Sequence, residues 1–199
     1  MISNLKIVGL QEIDTLIEYI QKRGICSFDL ETTSTSFYLP NEHIVSISIS
    51  FQVGSSWVLP LYHPESPYKD NYLEVLKKLR PIFEDDTITK VGWNVKFDVK
   101  WLISKCGFKI NGNLFDAMLA KHLLDEERPN GLKEMVQRFL PEFMGYDDEV
   151  KGGSMTAKPL EKVLKYNGLD SDLTLRLFLY FERRLLRIPK LYTLYRNLV

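Results

Sequence analysis

Apolar residues recur at helical spacing over 10–23, at Leu10, Ile13, Leu16, Ile17 and Ile20, and Gly24 follows as a C-terminal stop, so the spacing predicts an opening helix. Residues 25–31 then read as a strand. The stretch 44–51 alternates strictly, with Val45, Ile47, Ile49 and Phe51 set against Ser46, Ser48 and Ser50. A third strand near 57–61 completes an antiparallel meander. After a loop rich in Pro and Tyr, helical spacing returns over 72–83, a short apolar run at 88–93 predicts another strand, and 95–106 is again helical. That alternation implies a parallel addition to the sheet. Further helices are predicted over 117–124, 132–139 and 159 to about 186, with Pro159 suited to a helix start. The intervening 144–157, polar and carrying Lys151, Gly152 and Gly153, reads as a mobile loop.

Length and composition sharpen this only modestly. A chain of 199 residues with 45% hydrophobic residues can bury a core of its own and fits one domain. Lys plus Arg and Asp plus Glu number 26 each, so no overall positive field marks a nucleic-acid binder. Cys26 and Cys106 lie in apolar stretches without metal-site spacing and read as small core residues. The N-terminus lacks the pattern of a secretory signal, and no run approaches about 18 apolar residues, so a soluble intracellular protein with no membrane partner is expected.

Three local patterns carry candidate chemistry. In Phe28-Asp29-Leu30-Glu31-Thr32, strand geometry sends Asp29 and Glu31 to one face and Phe28 and Leu30 to the other. A lone D-x-E is usually an exposed polar face, but an early strand in an α/β pattern is commonly covered on both faces, where carboxylates need a counter-charge. In Asn94-Val95-Lys96-Phe97-Asp98 a strand gives way to a helix that Asn94 can cap, which places Asn94 and Asp98 on one face. An acid in a first helical turn also has a purely structural explanation in the helix dipole. In Tyr166-Asn167-Gly168-Leu169-Asp170, Tyr166 and Asp170 stand one turn apart on a stripe continued by Leu173 and Leu177. An ionised carboxylate among leucines costs several kcal/mol unless paired. Gly168 costs about 1 kcal/mol relative to Ala in a helix, which a close approach of backbone or ligand would justify.

Asp29, Glu31, Asp98 and Asp170 are hard oxygen donors, suited to Mg²⁺ or Mn²⁺ rather than zinc. Two such ions about 4 Å apart suit phosphoryl transfer. The ordered set D-x-E-T, N-x-x-x-D and Y-x-x-x-D resembles the DEDD superfamily of 3′→5′ exonucleases, in its tyrosine subtype. Leu114-Phe115-Asp116-Ala117-Met118-Leu119-Ala120 and the segment from Tyr166 to Leu175 are similar to the proofreading exonuclease domain of family A DNA polymerases, and the likeness spans about residues 25–181.

The resemblance implies an α/β, ribonuclease H-like fold with a mixed five-stranded sheet flanked by helices. It implies two divalent cations, Mg²⁺ or Mn²⁺, the first held by Asp29, Glu31 and Asp170, the second bridged by Asp29 and supported by Asp98. Tyr166 would orient the attacking water. The substrate would be a single-stranded DNA 3′ end, released as nucleoside 5′-monophosphates. Thr32 and Asn94 would touch the terminal nucleotide and its phosphate, and Lys96 would add a phosphate contact. Where the family carries an apolar wedge this chain has Thr35, and Phe37 is the substitute. A histidine base would need His near position 165, which is Lys165, and His43, His63 and His122 fall outside the motifs. The exonuclease domain is expected over 1–188, with 189–199 opening a helix that leads to a polymerase domain or replication partner, the chain being an excised domain or fragment and a monomer. The rival readings are an exoribonuclease similar to ribonuclease D and an inactive nucleic-acid-binding module.

Overall fold

The structure, a computed structural model, describes residues 4–199. In chain order the elements are β1 (Asn4–Ile7), α1 (Ile13–Arg23), β2 (Ile25–Thr32), β3 (Ile44–Gln52), β4 (Ser55–Pro60), α2 (Tyr72–Lys77), α3 (Arg80–Phe83), β5 (Thr89–Gly92), α4 (Val95–Cys106), β6 (Leu114–Asp116), α5 (Ala117–Leu124), α6 (Leu132–Phe139), α7 (Leu160–Leu186) and α8 (Pro189–Leu198). The strands form one mixed sheet in the order β1-β4-β3-β2-β5-β6. β2 lies at its centre, antiparallel to β3 and parallel to β5.

The sheet has six strands where five were expected. The added edge strand, Asn4–Ile7, pairs in parallel with β4, and its four residues, exposed at the ends and half-buried in the middle, give no alternation from which to read it. β6 is equally short, and its three residues run straight into α5. The single helix expected over 72–83 is two short ones, because Pro81 lacks an amide hydrogen and stands in the first turn of α3. The stretch 144–157 contains 3-10 turns at Asp148–Val150 and Met155–Ala157. Among the described residues no helix is long and apolar enough to cross a membrane.

Two apolar cores sandwich the sheet. Phe28, Leu30, Ile47 and Ile49 face the core that takes in Leu16, Ile20, Phe83 and Trp101 from α1, α3 and α4. On the other side Phe115 of β6 packs with Ala120, Val136, Leu173, Phe178 and Tyr195 from α5, α6, α7 and α8. α8 is tied in by Tyr195, which is fully buried and accepts the Asp116 amide at 2.7 Å.

α7 lies across the sheet on an unusually polar seam. The serine face of β3 is as buried as its isoleucine face: Ser46, Ser48 and Ser50 are all at 0% exposure. Ser46 Oγ donates to Asn167 Oδ1 at 2.9 Å, Ser48 Oγ to the Asn167 carbonyl at 2.7 Å, and Ser27 Oγ to the Ser171 carbonyl at 2.6 Å. Ser56 and Ser171 share a hydroxyl contact of 2.7 Å. Small side chains on both partners let helix and sheet approach closely while every hydroxyl named keeps a partner. At the other end of the seam Asp172, fully buried, accepts the Gly54 amide at 2.6 Å and pairs with Arg176 at 3.0 Å, which locks the β3–β4 turn to α7.

Gly168 is explained by this approach. A Cβ there would overlap a Leu5 methyl on β1 and come within 2.9 Å of Val58 Cγ2 on β4. Gly168→Ala is therefore expected to destabilise the protein by about 1–3 kcal/mol despite the better helix propensity of alanine. Leu5→Ala in the same chain should recover part of that loss, measured by denaturant unfolding; a stabilised single variant would contradict the close-approach explanation.

Candidate active site

β2 delivers two carboxylates and α7 a third. Because side chains alternate along a strand, Asp29 and Glu31 project toward α7 while Phe28 and Leu30 enter the opposite core. The ladder between β2 and β3 shifts register just after Glu31, where Glu31 opposes Ser46 and Thr32 opposes Ile44. Such a bulge ends regular pairing beside the site. Asp170 sits one turn beyond Tyr166 on α7, and carboxylate oxygens of Asp29, Glu31 and Asp170 all lie within 4.8 Å of one another.

Asp98, in the first turn of α4, completes the group from the far side. It is 3% exposed, and its Oδ1 accepts the Leu30 amide at 3.2 Å, so it is bonded to the backbone between the two β2 acids. Its charge is felt at both Asp29 and Glu31. Of the four acids singled out in the sequence, the fold brings Asp29, Glu31 and Asp170 within one cluster and bonds Asp98 to the strand between the first two.

Electrostatically the cluster is strained as it stands. Burial pushes Asp29, Glu31 and Asp98 well above the usual carboxylate range, and Asp170 raises each of them further. Asp170 itself is raised only to about 6, by burial, because the phenols of Tyr146 and Tyr166 and the charge of Lys133 hold it down. Asn167 Nδ2 donates to Asp29 Oδ2 at 2.7 Å, a small compensation. Lys133 lies near but is engaged elsewhere, its ammonium 2.9 Å from Asp147 and 5.6 Å from the Tyr166 ring centroid. Three or four buried acids facing one partly diverted lysine form a donor set that fits divalent cations with oxygen ligands. Both phenols are raised far beyond the ordinary tyrosine value, by burial first and by neighbouring acids next, so they stand as hydrogen-bond donors and not as bases.

The residues expected to touch nucleic acid are not drawn into this cluster. The Thr32 hydroxyl donates to the Ser34 carbonyl at 2.7 Å, within its own turn. Phe37 packs against the first core, under the Lys100 ammonium, with its carbonyl accepting from Ser104 on α4. Asn94 and Lys96 line a cleft of about 470 Å³ with Asp116, His122, Asn130 and Leu198. Nor does the Asn94 side chain cap α4: its backbone is left-handed at φ 59°, ψ 45°, and its amide is taken by Asp116 Oδ1 at 3.2 Å. Asparagine tolerates this region better than most residues, which accounts for the residue type without a cap. His43, His63 and His122 bond to Tyr72, the Lys158 carbonyl and Asn130 respectively.

Sequence reasoning missed Tyr146, Lys133 and Asn167. Asn167 stands next to Tyr166 in the motif and carried a signal in its burial-prone context. Tyr146, an aromatic residue in an otherwise polar, glycine-bearing stretch, carried a weaker one. Lys133 carried none.

The raised carboxylates fix the sign of a stability effect. A buried acid whose folded pKa exceeds its unfolded one contributes stability that is complete below about pH 4 and is lost as pH rises through the folded value. With divalent cations chelated, Glu31→Gln should therefore melt like the parent near pH 4 and about 2–4 °C above it at pH 8, a gain of about 1 kcal/mol. A variant equal to or below the parent at pH 8 would show that the acids are not in electrostatic conflict.

Comparison with known proteins agrees with the geometry. The profile of the 3′-5′ exonuclease family matches residues 6–186. DNA polymerase I of Borreliella burgdorferi is 30% identical over 177 residues, covering 87% of this chain and 19% of that protein. The chain thus spans about a fifth of the length of the curated relative it matches. Among solved structures, Brucella melitensis NrnC with bound Mg²⁺ superposes with a TM-score of 0.69 at 18% identity, covering 97% of this chain and 87% of that one. Escherichia coli RNase D, an exoribonuclease involved in structured RNA processing, superposes with a TM-score of 0.68 at 18% identity, covering 90% and 46%. At such identities the two structures establish a shared fold. With a profile match over nearly its whole length and the acids assembled on that fold, this chain belongs to the 3′-5′ exonuclease family.

Proposed function

We propose that this domain hydrolyses the terminal phosphodiester of single-stranded DNA from the 3′ end, in a divalent-metal-dependent reaction, as the proofreading exonuclease of a family A DNA polymerase. The observation that carries this reading is the convergence of half-buried Asp29 with buried Glu31 and Asp170 within 4.8 Å, with Asp98 bonded to the strand between the first two. Asp29, Glu31 and Asp170 would hold one cation, and Asp98 with Asp29 a second. When bound there, Mg²⁺ or Mn²⁺ supplies Lewis acidity toward the phosphate and lowers the pKa of water.

The chain's own groups account for the rest. Water attacks phosphorus, the bond to the 3′ oxygen breaks, and the products are a nucleoside 5′-monophosphate and a chain one nucleotide shorter with a free 3′ hydroxyl. The protonated Tyr166 phenol, adjacent to Asp170, is suited to orient the attacking water and cannot remove its proton. Thr32, Asn94, Phe37 and Lys96 remain proposed contacts to the strand. A frayed 3′ end supplies the unstacked nucleotide that such a site accepts.

The match to a polymerase relative supports DNA as substrate and a fused polymerase domain as partner. The fold shared with RNase D supports a second reading, hydrolysis of RNA 3′ ends by the same acids. Digestion of 5′-labelled single-stranded DNA and matched RNA, with Mg²⁺, Mn²⁺ or EDTA, separates the two. The expected result is a metal-dependent ladder shortening from the DNA 3′ end, abolished by Asp29→Ala with Glu31→Ala. Faster RNA cleavage would move the assignment to the ribonuclease reading, and no cleavage of either would overturn both. In the same assay Tyr166→Phe should lower kcat by about 10²-fold with little change in KM; a change confined to KM would place the phenol in substrate binding instead.

A further inference from the structure

The roles assigned so far leave one aromatic side chain of the site unused. Tyr146 lies in the irregular stretch between α6 and α7, yet its hydroxyl donates to Asp170 Oδ1 at 2.5 Å. Its ring lies nearly parallel to that of Tyr166, with centroids 5.7 Å apart and planes 17° from parallel. One loop residue therefore touches both α7 side chains that the chemistry needs.

Its placement is fixed from several directions. Gly145 takes a left-handed backbone at φ 79°, which makes the turn that directs the next residue inward. The Tyr146 amide donates to the carbonyl of Phe143, whose own side chain is buried in the second core. Asp147, 6% exposed, pairs with Lys133 of α6 at 2.9 Å. The same Lys133 ammonium lies over the Tyr166 ring. Core, turn and ion pair all set Tyr146 in position, and nothing in the arrangement requires a hydroxyl on that ring except Asp170.

We propose that Tyr146 is a positioning residue for the exonuclease reaction: its hydroxyl fixes the orientation of the Asp170 carboxylate for a divalent cation, and its ring fixes the plane of the Tyr166 phenol. The inference rests on the exonuclease reading above. A carboxylate has two oxygens and a rotatable bond. A donor committed to Oδ1 selects one rotamer, and outer hydrogen bonds of this kind typically change metal affinity or activity 10- to 100-fold. The ring stack removes the corresponding freedom of Tyr166, whose hydroxyl must meet a water at one angle.

Two variants separate the hydroxyl from the ring. Tyr146→Phe keeps the stack and loses the donor; Tyr146→Ala loses both. The full chain and both variants are titrated with Mn²⁺ by calorimetry, and kcat and KM are measured on labelled single-stranded DNA at saturating Mn²⁺. For Tyr146→Phe we expect Mn²⁺ to bind about tenfold more weakly, with KM within twofold of the parent. For Tyr146→Ala we expect the same loss of Mn²⁺ affinity together with a kcat about tenfold lower, which the phenylalanine restores. Equal or tighter Mn²⁺ binding by Tyr146→Phe would overturn the proposal, since the hydroxyl would then be idle or competing with the cation. Failure of the parent to bind Mn²⁺ would overturn the metal-dependent reading as well, and the two failures are distinct in the isotherms.

Discussion

The structure depends on how closely α7 can lie against the middle of the sheet. Asp170 comes from this helix and Asp29 and Glu31 from the strand beneath it, so the separation of the three acids is set by helix-to-sheet distance. That distance is kept short by Ser27, Ser46, Ser48, Ser56 and Ser171, by the absent side chain of Gly168, and by Asn167 bridging to Asp29. A seam of leucines would bury more apolar area but would hold the two elements farther apart. Hydroxyls in pairs give close approach without orphaned polar groups.

The same seam explains how the fold tolerates so many buried acids. Bringing Asp29, Glu31, Asp98 and Asp170 together opposes folding, and their raised proton affinities measure that opposition. The opposition is carried by a sandwich with two cores, one on each face of the sheet. α4 adds Asp98 at its first turn, where the helix dipole favours a negative charge and the Leu30 amide binds it. The site is thus held by elements whose stability comes from elsewhere in the molecule.

Much of this was legible in the sequence, for definite reasons. Strand alternation alone put Asp29 and Glu31 on one face, and helical spacing put Asp170 one turn from Tyr166. What escaped was whatever lacked a period. β1 and β6 have four and three residues, too few to show alternation. Asn94 appeared to be a cap because its type and position fit one, whereas its bond to Asp116 comes from the end of the neighbouring strand β6, which no local pattern reveals. Tyr146 meets Asp170 from a stretch without regular structure, 24 residues away, and Lys133 reaches the site only because α6 packs beside α7. The alternating serines of β3 were visible, but alternation does not distinguish a face turned to water from one turned to a helix.

That last ambiguity bears on how the protein responds to random change. The seam is made of the smallest polar side chains available, so nearly every replacement at Ser46, Ser48 or Ser171 enlarges the residue and wedges the helix off the sheet. Wedging separates Asp170 from its partners on β2 without touching any group that meets the substrate. Inactivating lesions would then fall in a stripe running along the serine face of β3 and the side of α7 that meets it, and a genetic map of this domain would trace its architecture as clearly as its chemistry.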